Sequence, residues 1–192
     1  MDKSAIILAG GFSEKFGSCR EMTVLAGKPL IKHLLDVVGS IVEESVVVVS
    51  SRFQAEKLVK LLDSNGKVVV DKCEIHCPLV GAFTGFSEVQ SEYAILLPCD
   101  TPLVSKNVLS LILELCIGVN AAIPRWPNSL IEPLHAAYKV KPALEEAEKA
   151  LKRGILAMHS MIAKLQRIRY ISTLVLQQLD PELKIFSMLT LP

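Results

Sequence analysis

Four consecutive valines, Val46 to Val49, stand between Ser45 and Ser50. A strand points alternate side chains to opposite faces, so an unbroken apolar strand must be covered on both. The same reasoning applies to Ala5–Ala9, Val68–Val70, Tyr93–Leu97 and Ala121–Ile123. Helical patterns separate these runs. Leu30–Val38 follows Lys28-Pro29, a proline placed for a helix start. Gln54–Leu62 repeats apolar residues at Ala55, Leu58, Val59 and Leu62, and Leu79–Val89 and Asn107–Cys116 read as helices, the latter capped near Ser105 or Lys106. Such alternation predicts an α/β fold of three layers, α/β/α, around a mainly parallel sheet.

The last third changes character. Pro142–Lys152 is amphipathic, Gly154 interrupts it, and Ile155–Gln166 resumes the helical pattern. Met158, Met161 and Ile162 recur there at a spacing that reads as core. Ile168–Ile171 reads as a short strand and Leu183–Leu189 as a final one. With 192 residues and no repeat, biased segment or linker, a single domain over 1–192 is expected.

Hydrophobic residues make up 51% of the chain, charged residues 21%, and the net charge is +1. That balance predicts a packed core and argues against non-specific nucleic-acid binding as the main task. No apolar run reaches membrane-spanning length. Met1-Asp2-Lys3-Ser4 leads straight into a strand, so no signal peptide is expected. A cytoplasmic protein is expected, with neither nucleic acid nor membrane as partner; the oligomeric state is left open. Five cysteines, Cys19, Cys73, Cys77, Cys99 and Cys116, suit reduced thiols better than a disulfide framework. Cys73-Glu74-Ile75-His76-Cys77 carries metal-ligating residue types but lacks a second pair at zinc spacing. It reads first as ordinary thiols in a loop, with a Cys73–Cys77 disulfide left open.

Two loops carry chemistry. Ala5–Ala9 breaks into Gly10-Gly11-Phe12-Ser13-Glu14-Lys15-Phe16-Gly17-Ser18-Cys19-Arg20. Glycines let backbone N–H groups approach a ligand, and a nest of them binds anions. With Lys15 and Arg20 added, the loop suits a polyphosphate; the alternative is a glycine turn with surface cations. It matches neither the Walker pattern nor Gly-x-Gly-x-x-Gly. Pro98-Cys99-Asp100-Thr101-Pro102-Leu103 closes the strand Tyr93–Leu97. Ligands of open α/β sheets sit at that end of a strand, and an aspartate there suits Mg²⁺. A turn or capping aspartate is the alternative. Asp71, after Val68–Val70, reads as a ribose or metal contact or as a solvated turn residue. Trp126 either stacks on a ring or packs its own loop, and Arg125 binds a phosphate or a carboxylate. Lys149, Lys152, Arg153, Lys164, Arg167 and Arg169 form a basic stretch, read first as a solvated face. His33, His76, His135 and His159 are given no catalytic role.

Taken in order, Leu8-Ala9-Gly10-Gly11, Phe16-Gly17 and Gly27-Lys28-Pro29-Leu30 resemble the signature of nucleotidyltransferases with a glycosyltransferase-A-like fold. Pro78-Leu79-Val80-Gly81-Ala82, Pro98–Leu103 and Glu132-Pro133-Leu134-His135-Ala136-Ala137-Tyr138 narrow the resemblance to molybdenum cofactor guanylyltransferases of the archaeal type. The resemblance spans roughly residues 5 to 140 and implies a Rossmann-like nucleotide-diphospho-sugar transferase fold. It also implies transfer of GMP from GTP-Mg²⁺ to the terminal phosphate of molybdopterin, with release of pyrophosphate. Leu8, Ala9 and Gly10 would then line the guanine and its nucleoside. Gly11 to Gly17, Ser13 among them, would wrap the triphosphate. Lys15 and Arg20 would be its catalytic cations, Asp71 a nucleotide contact and Asp100 the catalytic Mg²⁺ ligand, itself beside the nucleotide. Glu132, Pro133, Leu134 and His135 would face the acceptor.

The sequence departs from the family pattern at named positions. Lys15 stands where the family usually has arginine, Arg20 where it has lysine, and Cys77 where a glycine precedes Pro78. Arginine and lysine differ in contact geometry. Ser187 and Leu189 stand where the family carries amides thought to lie at the acceptor site. Alternative readings are therefore another phosphorylated acceptor, such as cobinamide phosphate or a sugar phosphate, or a nucleotide-binding member without turnover.

Overall fold

The computed structural model describes residues 2–10, 22–62, 66–73, 75 and 77–188. Strands β1 (Lys3–Leu8), β4 (Glu44–Val49), β5 (Gly66–Val70) and β6 (Tyr93–Pro98) run parallel, and Ile6 of β1 lies between Val46 and Leu96. A two-residue hairpin, β2 (Val24–Leu25) and β3 (Lys28–Pro29), leads into α1 (Leu30–Val38). Helices α2 (Arg52–Val59), α3 (Pro78–Glu88) and α4 (Lys106–Cys116) follow β4, β5 and β6. Then come β7 (Ala121–Arg125), β8 (Ala136–Lys139), α5 (Val140–Lys152), α6 (Met158–Ile162), β9 (Ile168–Ser172) and α7 (Thr173–Leu176). The seven-stranded sheet has the order β5-β4-β1-β6-β8-β7-β9. Within this sheet, among the described residues, β8 alone runs antiparallel to both its neighbours.

The valine argument holds in detail. Val47 and Val49 join Ala5, Ile7, Ile95 and Leu97 on one face, under Ile31 and Leu34 of α1 and Val108 and Ile112 of α4. Val46 and Val48 join Ile6, Ala94 and Leu96 on the other, under Leu79, Ala82 and Phe86 of α3 and Ala143 and Ala147 of α5. Each large apolar side chain buried this way contributes about 1.5–3 kcal/mol. Met158, Met161 and Ile162 are buried in the second face, as read. Helix α3 lies so close that a Cβ on Gly85 would collide with Ile6 Cγ2. Ser105 caps α4, its hydroxyl accepting from Val108 N at 3.5 Å.

The C-terminal segment corrects the sequence reading. Leu183 adopts φ 49°, in the left-handed region, and Lys184–Phe186 form a 3₁₀ turn in place of the expected strand. Asp180 holds that turn, accepting from Ile185 N at 2.9 Å, and Ile185 is buried. Leu183, Ile185, Phe186 and Met188 make the segment apolar enough to read as a strand, yet only Leu183 and Ile185 of these four are buried and Met188 is exposed. Strand β8, inside the segment read only as a motif, was not anticipated. Cys73, Cys77, Cys99 and Cys116 stand as thiols, and burial pushes the Cys116 thiol up to about 12. Among the described residues, no helix is long and apolar enough to cross a membrane.

Candidate functional site

Because β1, β4, β5 and β6 are parallel, the residues after each emerge at one end of the sheet. Ala9 N extends the ladder, donating to Val48 O at 2.7 Å, and Asp71 N does the same to Val49 O at 2.8 Å. Ser50, at the end of β4, donates its hydroxyl to Gly10 O. A Cβ on Gly10 would strike that hydroxyl and would stand 3.5 Å from Asp71 Oδ2. A Cβ on Gly81, in the first turn of α3, would stand 3.0 Å from Leu8 Cδ2 and 3.8 Å from Asp71 Oδ1. The Asp71 carboxylate thus lies between Gly10 and Gly81, beside Leu8. The structure brings these sequence-predicted positions together.

Gln54 is a positioning residue that the sequence reading passed over. It is buried, its Oε1 accepts from Ser50 N at 3.0 Å and its Nε2 reaches Ala9 O at 3.5 Å. The available signal was a glutamine three residues after the Ser51 cap, where it reads as an exposed first-turn residue. Gly11, Ser13, Lys15, Gly17 and Arg20 lie outside the described residues.

Asp100 follows β6 and is half-buried. Beside it Thr101 is fully buried, and its hydroxyl donates to Pro98 O at 3.3 Å. The same oxygen lies 3.2 Å from His135 Nε2. His135 arrives there because β8 is antiparallel: Ala136 pairs with Leu96, so the residue before β8 meets the end of β6. His135 is buried, and desolvation alone lowers its pKa to about 4, so the ring is neutral at pH 7. Its Nδ1 has no hydrogen-bond partner among the described residues.

The segment before β8 is a tight turn. Glu132 N donates to Pro124 O at 3.0 Å, His135 N to Glu132 O at 3.2 Å, and Tyr138 OH to Pro133 O at 2.8 Å. Trp126 Nε1 donates to Glu132 Oε1 at 2.7 Å. Phe186 bridges two rings, 5.5 Å from Trp126 and 5.2 Å from His135 at 89°. Trp126 therefore packs its loop, and also lines a cavity of about 220 Å³ with Arg125, Ser129, Tyr170 and Ser172. Arg125 lies 5.0 Å above the Tyr170 ring. The basic stretch is partly spent on local contacts: Lys149 pairs with Glu146, Lys152 with Glu148, and Arg167 and Arg169 donate to Gly118 O and Leu115 O. His33 is tied to Leu25 O at 2.9 Å.

Asp71 follows β5 and Asp100 follows β6, so two carboxylates offer hard oxygen donors at this end of the sheet. Among the described residues no three histidine, cysteine, aspartate or glutamate side chains are grouped to hold a metal by themselves. One carboxylate at the end of β6 fits a cation that arrives with its nucleotide, since Mg²⁺ is commonly held by one or two carboxylates and substrate phosphates. Asp100 meets that requirement.

Known proteins share this fold. Residues 5–168 match the model of the MobA-like NTP transferase domain. A Methanosarcina mazei protein named a probable molybdenum cofactor guanylyltransferase is 32% identical, the match covering 96% of this chain and 84% of the relative. A molybdenum cofactor guanylyltransferase of Desulfosudis oleivorans is 30% identical, covering 95% and 87%. The crystal structure of molybdopterin-guanine dinucleotide biosynthesis protein A from Archaeoglobus fulgidus superposes with a TM-score of 0.82 at 26% identity. It covers 99% of this chain and 93% of that one.

Proposed function

The chain belongs to the MobA-like NTP transferase family, and from that membership we propose that it transfers GMP from GTP to the terminal phosphate of molybdopterin, releasing pyrophosphate. The observation that carries the reading is the gathering of Gly10, Asp71, Asp100 and the 132–135 turn at one end of the sheet. The names of the relatives support the choice of both substrates.

In this reading Leu8, Ala9 and Gly10 form the nucleoside seat, and Asp71, held beside Gly10 and Gly81, accepts from a ribose hydroxyl. Gly11, Ser13 and Gly17 wrap the triphosphate, with Lys15 and Arg20 as its cations. Asp100 holds Mg²⁺, which supplies positive charge to the triphosphate. An acceptor phosphate oxygen forms a bond to the α-phosphorus, and the bond to the bridging oxygen of pyrophosphate breaks. Anion attacks anion, so the chain's task is to align the two phosphates and offset their repulsion. The acceptor oxygen is already ionised and needs no strong base. A neutral, buried His135 agrees with that. Glu132, Pro133 and Leu134 present the acceptor face, with His135 behind them.

The test is pyrophosphate release with each of the four NTPs and Mg²⁺, with and without molybdopterin, beside direct nucleotide binding. Release with GTP that depends on molybdopterin is the expected result. GTP binding without release overturns the acceptor assignment. Ser187, in place of a family amide beside Phe186, favours a second reading with cobinamide phosphate or a sugar phosphate as acceptor. The same assay with those acceptors separates the two. Loss of turnover with every acceptor leaves a nucleotide-binding member.

A further inference from the structure

Histidine is an expensive residue to bury for one hydrogen bond. The His135 imidazole has a single hydrogen-bonding partner among the described residues, the Thr101 hydroxyl at 3.2 Å, and its Nδ1 has none. A phenylalanine would fill the space without an orphaned nitrogen, so packing alone does not account for the imidazole. The Thr101 hydroxyl spends its proton on Pro98 O, which leaves it an acceptor toward His135. The neutral ring therefore donates from Nε2. Pro98 and Thr101 flank Cys99 and Asp100, so the Thr101–Pro98 bond closes a bracket around the aspartate, and His135 pins that bracket from β8. Phe186 rests edge-on against the imidazole and fixes its plane.

We propose that His135 is a positioning residue that holds the Asp100 turn in metal-binding geometry through Thr101, without touching either substrate. The proposal rests on the reading that Asp100 carries the cation. Partners behind a metal ligand orient it, and their loss typically costs 10–100-fold in metal affinity.

The test uses the full chain with GTP and Mn²⁺ as the probe, read by electron paramagnetic resonance of free and bound Mn²⁺. Phenylalanine in place of His135 (His135→Phe) keeps a ring against Phe186 and removes the donor. It is expected to weaken Mn²⁺ binding about tenfold while metal-free GTP binding stays unchanged. His135→Gln carries an amide nitrogen at the reach of Nε2 and is expected to restore most of the affinity. Thr101→Val, nearly isosteric, is expected to reproduce the loss and carries the test if His135→Phe does not fold. Mn²⁺ affinity unchanged in these variants overturns the proposal, as does equal loss in His135→Phe and His135→Gln. Asp100→Asn separates the two levels of inference. If it abolishes Mn²⁺ binding while His135→Phe and Thr101→Val do not weaken it, only the positioning role fails. If Mn²⁺ binding survives Asp100→Asn, the metal assignment fails and the positioning role with it.

Discussion

The indole of Trp126 donates to the carboxylate of Glu132 at 2.7 Å, tying the loop after β7 to the turn before β8. A hydrogen bond to a charged acceptor is worth about 1.5–3 kcal/mol. Glu132→Ala releases both the indole and the turn. We expect its KM for molybdopterin to rise about tenfold, in line with that energy, with GTP affinity unchanged. Steady-state kinetics with each substrate varied in turn checks this.

Gly10→Ala places a methyl group against the Ser50 hydroxyl, with Ser50 N only 3.2 Å away. The end of β1 must move, and overpacking of this kind costs about 1–3 kcal/mol. GTP affinity is expected to fall at least about tenfold, since the displaced strand end is the proposed nucleoside seat. Gly10→Ala combined with Ser50→Ala, which removes the struck oxygen, is expected to recover part of the loss in titration calorimetry.

Gly85→Ala is the corresponding change in the core. Its methyl group would overlap Ile6 Cγ2, which is fully buried between α3 and β1. A destabilisation of about 1–3 kcal/mol is expected in urea unfolding. Activity per folded molecule should be retained, because the contact lies within the α3–β1 layer rather than at the substrate end.

Acid stability follows from His135. Its pKa falls from an ordinary 6.5 to about 4 on burial. Between these values the unfolded chain binds the proton and the folded chain does not, so stability rises with pH there and is lost on acidification. At about 1.4 kcal/mol per unit, up to about 3 kcal/mol disappears between roughly pH 6.5 and 4. Urea unfolding at pH 7 and pH 4.5 measures it, and His135→Phe should flatten that part of the profile.

Much of the architecture was legible because local patterns and tertiary burial agree. The run Ala5–Ala9 lies in β1 as far as Leu8, the helix over Leu30–Val38 occupies those residues, and Ser105 caps α4. Asp71 was legible as a residue closing a strand, and its proximity to Gly10 and Gly81 follows from parallel pairing. Strand β8 was not, since its four residues follow a proline-containing turn and take their direction from β6 and β7. The Thr101–His135 contact was invisible for the same reason: 34 residues separate them, and only the strand reversal makes them neighbours. Gln54 was missed because its partners, Ala9 and Ser50, belong to two other segments. Lys15 and Arg20 lie outside the described residues, so the cation positions rest on sequence alone.

Within the sheet, strands drawn from residues 3–98 meet strands drawn from 121–172 along one line, the pairing of β6 with β8. That seam is stitched by backbone groups, which every residue except proline supplies alike. Side chains at the rim beyond β7, β8 and β9 can therefore be exchanged while the ladder around β1, β4 and β5 keeps its register. On the proposed reading, such a sheet can change what it modifies while keeping what it modifies with.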